Sequence, residues 1–214
     1  MTVIAGYGMQ DAPCTYRRYL SINKEILGEV ITNATGCSLA EYMEEKLWKK
    51  IGAAHDAYWT LSNGTELAMG GLSVSLRDYA RFARLYLNNG NYDGTQILAA
   101  DWVKDSMNVD AAYSRPGAND DAYNVIGYGY QWWVPEGNEG EFMAIGVYGQ
   151  WIYVNPQRHV IIVKTSADPD FMEEGYELKH VEFFREVANG VAPLAAPPPQ
   201  AVRKPTIFGH FGHK

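Results

Sequence analysis

Four β-rich runs, at residues 127–134, 142–146, 150–155 and 160–165, follow one another with only Gly, Pro and Asn punctuation between them. Asn155-Pro156-Gln157-Arg158 reads as the hairpin joining the last two. A helical stretch at 176–187 follows the last run, and helical patterns precede the first. Strands in succession, flanked by helices instead of alternating with them, predict an α+β domain: a helical part, then an antiparallel sheet, then a C-terminal helix packed on it.

Upstream, the clearest helical signal starts after Tyr19-Leu20-Ser21. Ile22, Ile26, Leu27, Val30, Ile31 and Ala34 recur at spacings of three and four and share one face, and Gly36 stops the helix. Ser38, with Glu41 three residues on, is a capping-box signature for a second helix running to about Lys50. Asn63-Gly64 marks a turn within an irregular stretch at 58–71. Ser75 caps a third helical pattern at 76–88, with Asp78 three residues on and Gly90 ending it. Residues 91–96 form a turn, 101–107 a short helix and 111–123 a polar loop.

The 214 residues, 47% hydrophobic and 20% charged, suffice for one sizeable core. We expect one domain at 1–188 and a flexible tail at 189–214, where Pro193, Pro197, Pro198, Pro199 and Pro205 preclude a helix. His210 and His213 in that tail read as solvated terminus. A net charge of −7 without a long basic run argues against a nucleic-acid partner. No stretch has the apolar length of a membrane span, and the first residues lack a basic leader, so no membrane association is expected. Cys14 and Cys37 fit no metal spacing and are too few for a disulfide framework, which points to reduced thiols and a cytoplasmic location. No metal cluster and no nucleotide-binding loop is recognisable, and no cofactor is expected.

Several ordered blocks carry a resemblance. Tyr19-Leu20-Ser21, Ile26-Leu27-Gly28-Glu29-Val30-Ile31, Ile51-Gly52-Ala53-Ala54-His55-Asp56 and Gly70-Gly71-Leu72-Ser73-Val74-Ser75-Leu76-Arg77-Asp78-Tyr79 are among them. Across roughly residues 17–188 the chain resembles the penicillin-recognising serine hydrolases of the class C β-lactamase type, most closely the branch of carboxylesterases and 6-aminohexanoate-dimer hydrolases. The resemblance implies a β-lactamase-like fold and hydrolysis of a small amide or ester substrate through an acyl-enzyme. In that family a Tyr-x-Asn or Tyr-x-Ser motif places a tyrosine beside the nucleophile. It therefore implies catalytic roles for Tyr19, as proton relay, and for Ser21, facing the same cavity. A phenol titrates near 10 in solution, and in the family the lysine of an upstream Ser-x-x-Lys motif lowers that barrier. The 18 residues before Tyr19 contain no serine, so the expectation is a C-terminal portion whose nucleophile lies elsewhere. The alternative is a non-catalytic domain keeping the same groove, and a portion lacking partner strands would self-associate through an exposed sheet edge.

The family's third motif, Lys-Thr-Gly or a relaxed version, finds its best match at Val147-Tyr148-Gly149-Gln150, implying a substrate-binding strand with a Gln150 N–H in the oxyanion hole. No Lys or His heads it, which disfavours recognition of a substrate carboxylate. A rival assignment takes Ser21-Ile22-Asn23-Lys24, the only Ser-x-x-Lys in the chain, as nucleophile and base. Its partners would be Tyr153-Val154-Asn155 and Lys164-Thr165-Ser166, both at strand positions. His55 beside Asp56 is a weaker catalytic candidate, since adjacent side chains point apart, and of Trp59, Trp132, Trp133 and Trp151 most are expected in the core.

Overall fold

The structure, a computed structural model, describes Gly8, residues 11–118 and residues 125–191. Its first helix, α1 (Ile22–Thr35), begins after Ser21 and ends at Gly36, whose φ of 70° places it in the left-handed region and whose N–H bonds Thr32 O. The capping box forms as expected: the Ser38 side chain accepts from Glu41 N–H while Glu41 accepts from Ser38 N–H. The helix it starts, α2 (Leu39–Met43), widens into a π-helical turn, Glu44–Trp48. That turn leads to Ile51, which is wholly buried.

Residues 58–73 form two small ribbons from β1 (Tyr58–Trp59), β2 (Leu61–Ser62), β3 (Thr65–Glu66) and β4 (Leu72–Ser73), with β1 paired to β4 and β2 to β3. Asn63 and Gly64, with φ of 52° and 86°, supply the two left-handed residues of the β2–β3 hairpin. Then come α3 (Leu76–Leu87), the hairpin of β5 (Asn91–Tyr92) and β6 (Thr95–Gln96), and α4 (Ala100–Ser106).

The main sheet is an antiparallel meander of β7 (Gly127–Gly129), β8 (Trp132–Val134), β9 (Phe142–Gly146), β10 (Gln150–Asn155) and β11 (Val160–Lys164), ordered β11-β10-β9-β8-β7. β10 is buried on both faces. Trp151 and Tyr153 meet Val181 and Phe184 of α5 (Tyr176–Gly190), while Ile152 and Val154 meet Ala83 of α3 and Phe142. Helices thus cover the sheet on both sides, which is the α+β arrangement expected.

Three sequence expectations need correction. The run at 127–134 is a tight hairpin, not one strand: Tyr130 and Gln131 turn it with φ of 49° and 73°. Neither is a customary left-handed residue, so no local signal marked the break. The stretch at 147–149 is a turn between β9 and β10, and only Gln150 of the expected binding strand lies in a strand. The apolar stripe of α1 is not its packed face. The helix rests on its Gly28 side, where an added Cβ would lie 2.6 Å from Ala68 Cβ, and Ile22, Leu27, Val30 and Ile31 face solvent. Of the expected tail, Asn189 and Gly190 complete α5, and 192–214 lie outside the described residues.

Candidate functional site

Two parts of the chain distant in sequence form one cleft of about 480 Å³. On one side stand Tyr19 and Ser21, at the entry to α1; on the other stand Ile145, Gly146, Val147 and Gln150, from the β9–β10 hairpin. The segment before Tyr19 is anchored by Arg17, a buried side chain that donates to Ile126 O at 2.9 Å and lies over the Trp133 ring. Trp133 and Tyr128 then pack on the Tyr19 ring, with centroids 5.0 and 5.3 Å away. Burial, and to a lesser degree Tyr19 beside it, push the Tyr128 phenol far above its ordinary pKa, so Tyr128 stays neutral.

The structure brings Tyr19, Ser21, Val147 and Gln150 together; Tyr148 and Gly149 are set back from the lining. Both have positive φ, 60° and 78°, which turns the chain sharply enough to bring Val147 and Gln150 to the same wall. Gly149 is required twice over: its conformation is left-handed, and a Cβ there would collide with the Tyr176 hydroxyl and lie 3.1 Å from Lys164 Nζ. Lys164 donates to Gly149 O at 3.2 Å. The Gln150 amide is committed to the backbone, donating to Ser166 O and accepting from Ser166 N–H. What Gln150 offers a ligand is therefore main chain.

Lys24 Nζ lies 3.4 Å from the centroid of the Tyr19 ring, a cation–π contact. In the rival assignment this amine would serve Ser21; here it lies over the tyrosine. A second cavity of about 500 Å³ shares Leu72, Tyr79, Ile145, Gly146 and Gln150 with the cleft and extends over the sheet past Ser73, Lys164 and Thr165. Tyr79 is fixed there by its hydroxyl, which donates to Leu72 O at 2.6 Å, and burial raises its pKa.

Sequence reasoning missed the cleft's far wall. Phe171, Met172, Tyr176 and Glu177 line it, from the segment between β11 and α5 and the first turn of α5. That segment is tied to the hairpin through Asp168, whose N–H donates to Tyr148 O at 3.1 Å and whose carboxylate accepts from Tyr176 Oη at 2.9 Å. No motif marked these residues; only the path of the chain back across the hairpin places them.

His55 does not pair with Asp56. Its Nδ1 is 3.1 Å from Asp78 Oδ2, and it lies outside the cleft lining. Asp78 is fully buried. Burial works to raise its pKa, but bonds from Ala54 N–H, Ser75, His55 and Arg81 outweigh that and hold the carboxyl well below the usual range. The group clamps the start of α3 to the loop after α2. Trp132 and Trp151 are core, Trp133 lines the cleft, and the Trp59 indole donates to Leu67 O and Gly70 O. Among the described residues there is no group of three or more His, Cys, Asp and Glu placed to hold a metal. No described helix is long and apolar enough to cross a membrane.

A meander sheet between helices, with a tyrosine cleft beside its β9–β10 turn, is the architecture of the β-lactamase-like hydrolases. A family model described as Beta-lactamase matches residues 1–183, and the chain belongs to that family. It is 32% identical over 158 residues to the 6-aminohexanoate-dimer hydrolase of Paenarthrobacter ureafaciens, a match covering 72% of this chain and 40% of that protein. A solved Bacillus anthracis structure described as a "putative 6-aminohexanoate-dimer hydrolase" superposes with a TM-score of 0.75 at 31% identity, covering 86% of this chain and 46% of that one. A solved hydrolase with promiscuous acyltransferase activity shares the fold at a TM-score of 0.64 and 15% identity, with 83% of this chain and 58% of that one covered. The chain thus spans less than half the length of the two 6-aminohexanoate-dimer hydrolase relatives.

Proposed function

We propose that this chain is the tyrosine-bearing part of a serine hydrolase that cleaves amide or ester bonds by acyl transfer, of the 6-aminohexanoate-oligomer or carboxylesterase type. Tyr19 relays the proton between nucleophile and leaving group, Ser21 faces the same cavity, and the Gln150 N–H is one donor to the developing oxyanion. The nucleophile is carried by a segment outside this chain. The observation that carries the reading is the convergence of Tyr19 and Ser21 with Val147 and Gln150 on one cleft from opposite ends of the sequence. The identity with a 6-aminohexanoate-dimer hydrolase supports the substrate class. The position of Lys24 over Tyr19 supports assigning the tyrosine, and not Ser21, to the proton transfer.

The test is labelling of the folded chain with a fluorophosphonate, followed by mass-spectrometric mapping. We expect no serine adduct on this chain, and labelling together with ester turnover once a complementary Ser-x-x-Lys segment of a relative is supplied. In that complex Tyr19→Phe should lower turnover by about 10²–10⁴-fold. An adduct at Ser21 of the isolated chain would instead establish Ser21 and Lys24 as nucleophile and base. Absence of turnover in a well-formed complex would favour a binding domain.

The sheet edge supports a second element of the proposal. Among the described residues β11 pairs only with β10, leaving one side of Val160–Lys164 without a strand partner, and the α1 stripe is exposed on the same molecule. Such surfaces favour association, with a second copy or with the segment that completes the fold.

A further inference from the structure

The cleft has one feature that the proposed chemistry does not use. Its walls are aromatic and aliphatic, with Tyr19, Trp133, Ile145, Phe171, Met172 and Tyr176 prominent, and the only formally charged side chain in the lining is Glu177. Glu177 belongs to the first turn of α5, so its backbone is held by the helix while its side chain reaches the cleft. It forms no ion pair with any described residue. Neighbouring acids are otherwise engaged: Asp168 accepts from Tyr176 Oη and from Asp170 N–H. The cations nearby do not answer it. Lys164 is bound to Gly149 O and lines only the adjoining cavity, and Lys24 lies over the Tyr19 ring outside the lining.

A carboxylate without a cationic partner, on the wall of an otherwise apolar cleft, is best satisfied by a cation that the ligand brings. The apolar walls between the Tyr19 side and the Glu177 side suit methylenes. We infer that Glu177 is the specificity-determining residue of this cleft, accepting an ammonium group joined to the scissile amide or ester by an apolar linker. The inference rests on the cleft being the substrate site. It predicts preference for cationic over neutral chains and exclusion of anionic ones, for which the lining holds no counter-charge.

The experiment is titration of this chain with three amides of matched length, 6-aminohexanamide, hexanamide and adipamic acid, by calorimetry. Glu177→Gln is the variant, and Glu182→Gln, at an exposed position of α5, is the control. We expect 6-aminohexanamide to bind about tenfold more tightly than hexanamide, with adipamic acid weakest and the preference shrinking as salt is raised. Glu177→Gln should bring the cationic and neutral amides within about twofold of each other, because the attraction it removes acts on one of them only. Glu182→Gln should leave the preference intact. If hexanamide binds but the three amides do not differ, or Glu177→Gln leaves their order unchanged, the role of Glu177 is overturned and the cleft assignment stands. If none of the three binds, the cleft assignment fails and this inference falls with it.

Discussion

Asp78 illustrates how a single side chain can hold this fold together without taking part in its chemistry. Its carboxylate collects bonds from three segments: the loop residue Ala54 with His55, the cap Ser75, and Arg81 one turn along α3. Because its folded pKa is depressed, its contribution to stability is fully present above the unfolded value near 4 and is lost as pH falls through the lower folded value. Asp78→Asn keeps the shape but removes the charge, and should cost about 2–4 kcal/mol at pH 7 in urea unfolding. The gap between wild type and variant should narrow below pH 4. A constant gap from pH 7 to 3 would mean that the charge is not what matters. At Gly149 the argument is steric: Gly149→Ala forces an L-residue into left-handed backbone and a methyl against Tyr176. A loss of about 2–3 kcal/mol is expected in the same assay, accompanied by weaker amide binding as the hairpin shifts.

At the scale of elements, α1 is the informative case. Its boundaries follow from local chemistry, with Gly36 closing it in the left-handed conformation. Its orientation does not, since the stripe that should be buried by pattern is exposed and the small Gly28 makes the close approach to Ala68 and Leu39. Replacing Leu27 and Val30 together by Glu should therefore change the stability of the isolated chain by less than about 1 kcal/mol, as for exposed positions generally. A larger loss would show that the stripe is covered after all. The same double variant should reduce association measured by sedimentation, because it charges the largest apolar surface of that helix. Hairpins divide the same way. Asn63-Gly64 announces its turn by composition, whereas Tyr130-Gln131 adopts the same left-handed pair with no residue suited to it, helped by Tyr128 Oη donating to Gln131 Oε1 at 2.6 Å.

For the whole molecule, the sequence determined whatever depends on neighbours a few residues apart: the capping box at Ser38, the cap at Ser75, the limits of β9 and β10, the order of helices and strands, and through ordered motif blocks the family itself. Tyr19, Ser21 and Gln150 were legible as site residues because the motif blocks carry register. The tertiary structure alone decided which face of α1 packs, that His55 answers Asp78 and not Asp56, and that Glu177 shares a cleft with Tyr19 more than 150 positions away. The physical reason is range. Capping and turn formation are settled by hydrogen bonds and φ/ψ preferences within one or two turns of chain. A cleft wall is set by where packing leaves elements whose local sequences carry no record of each other.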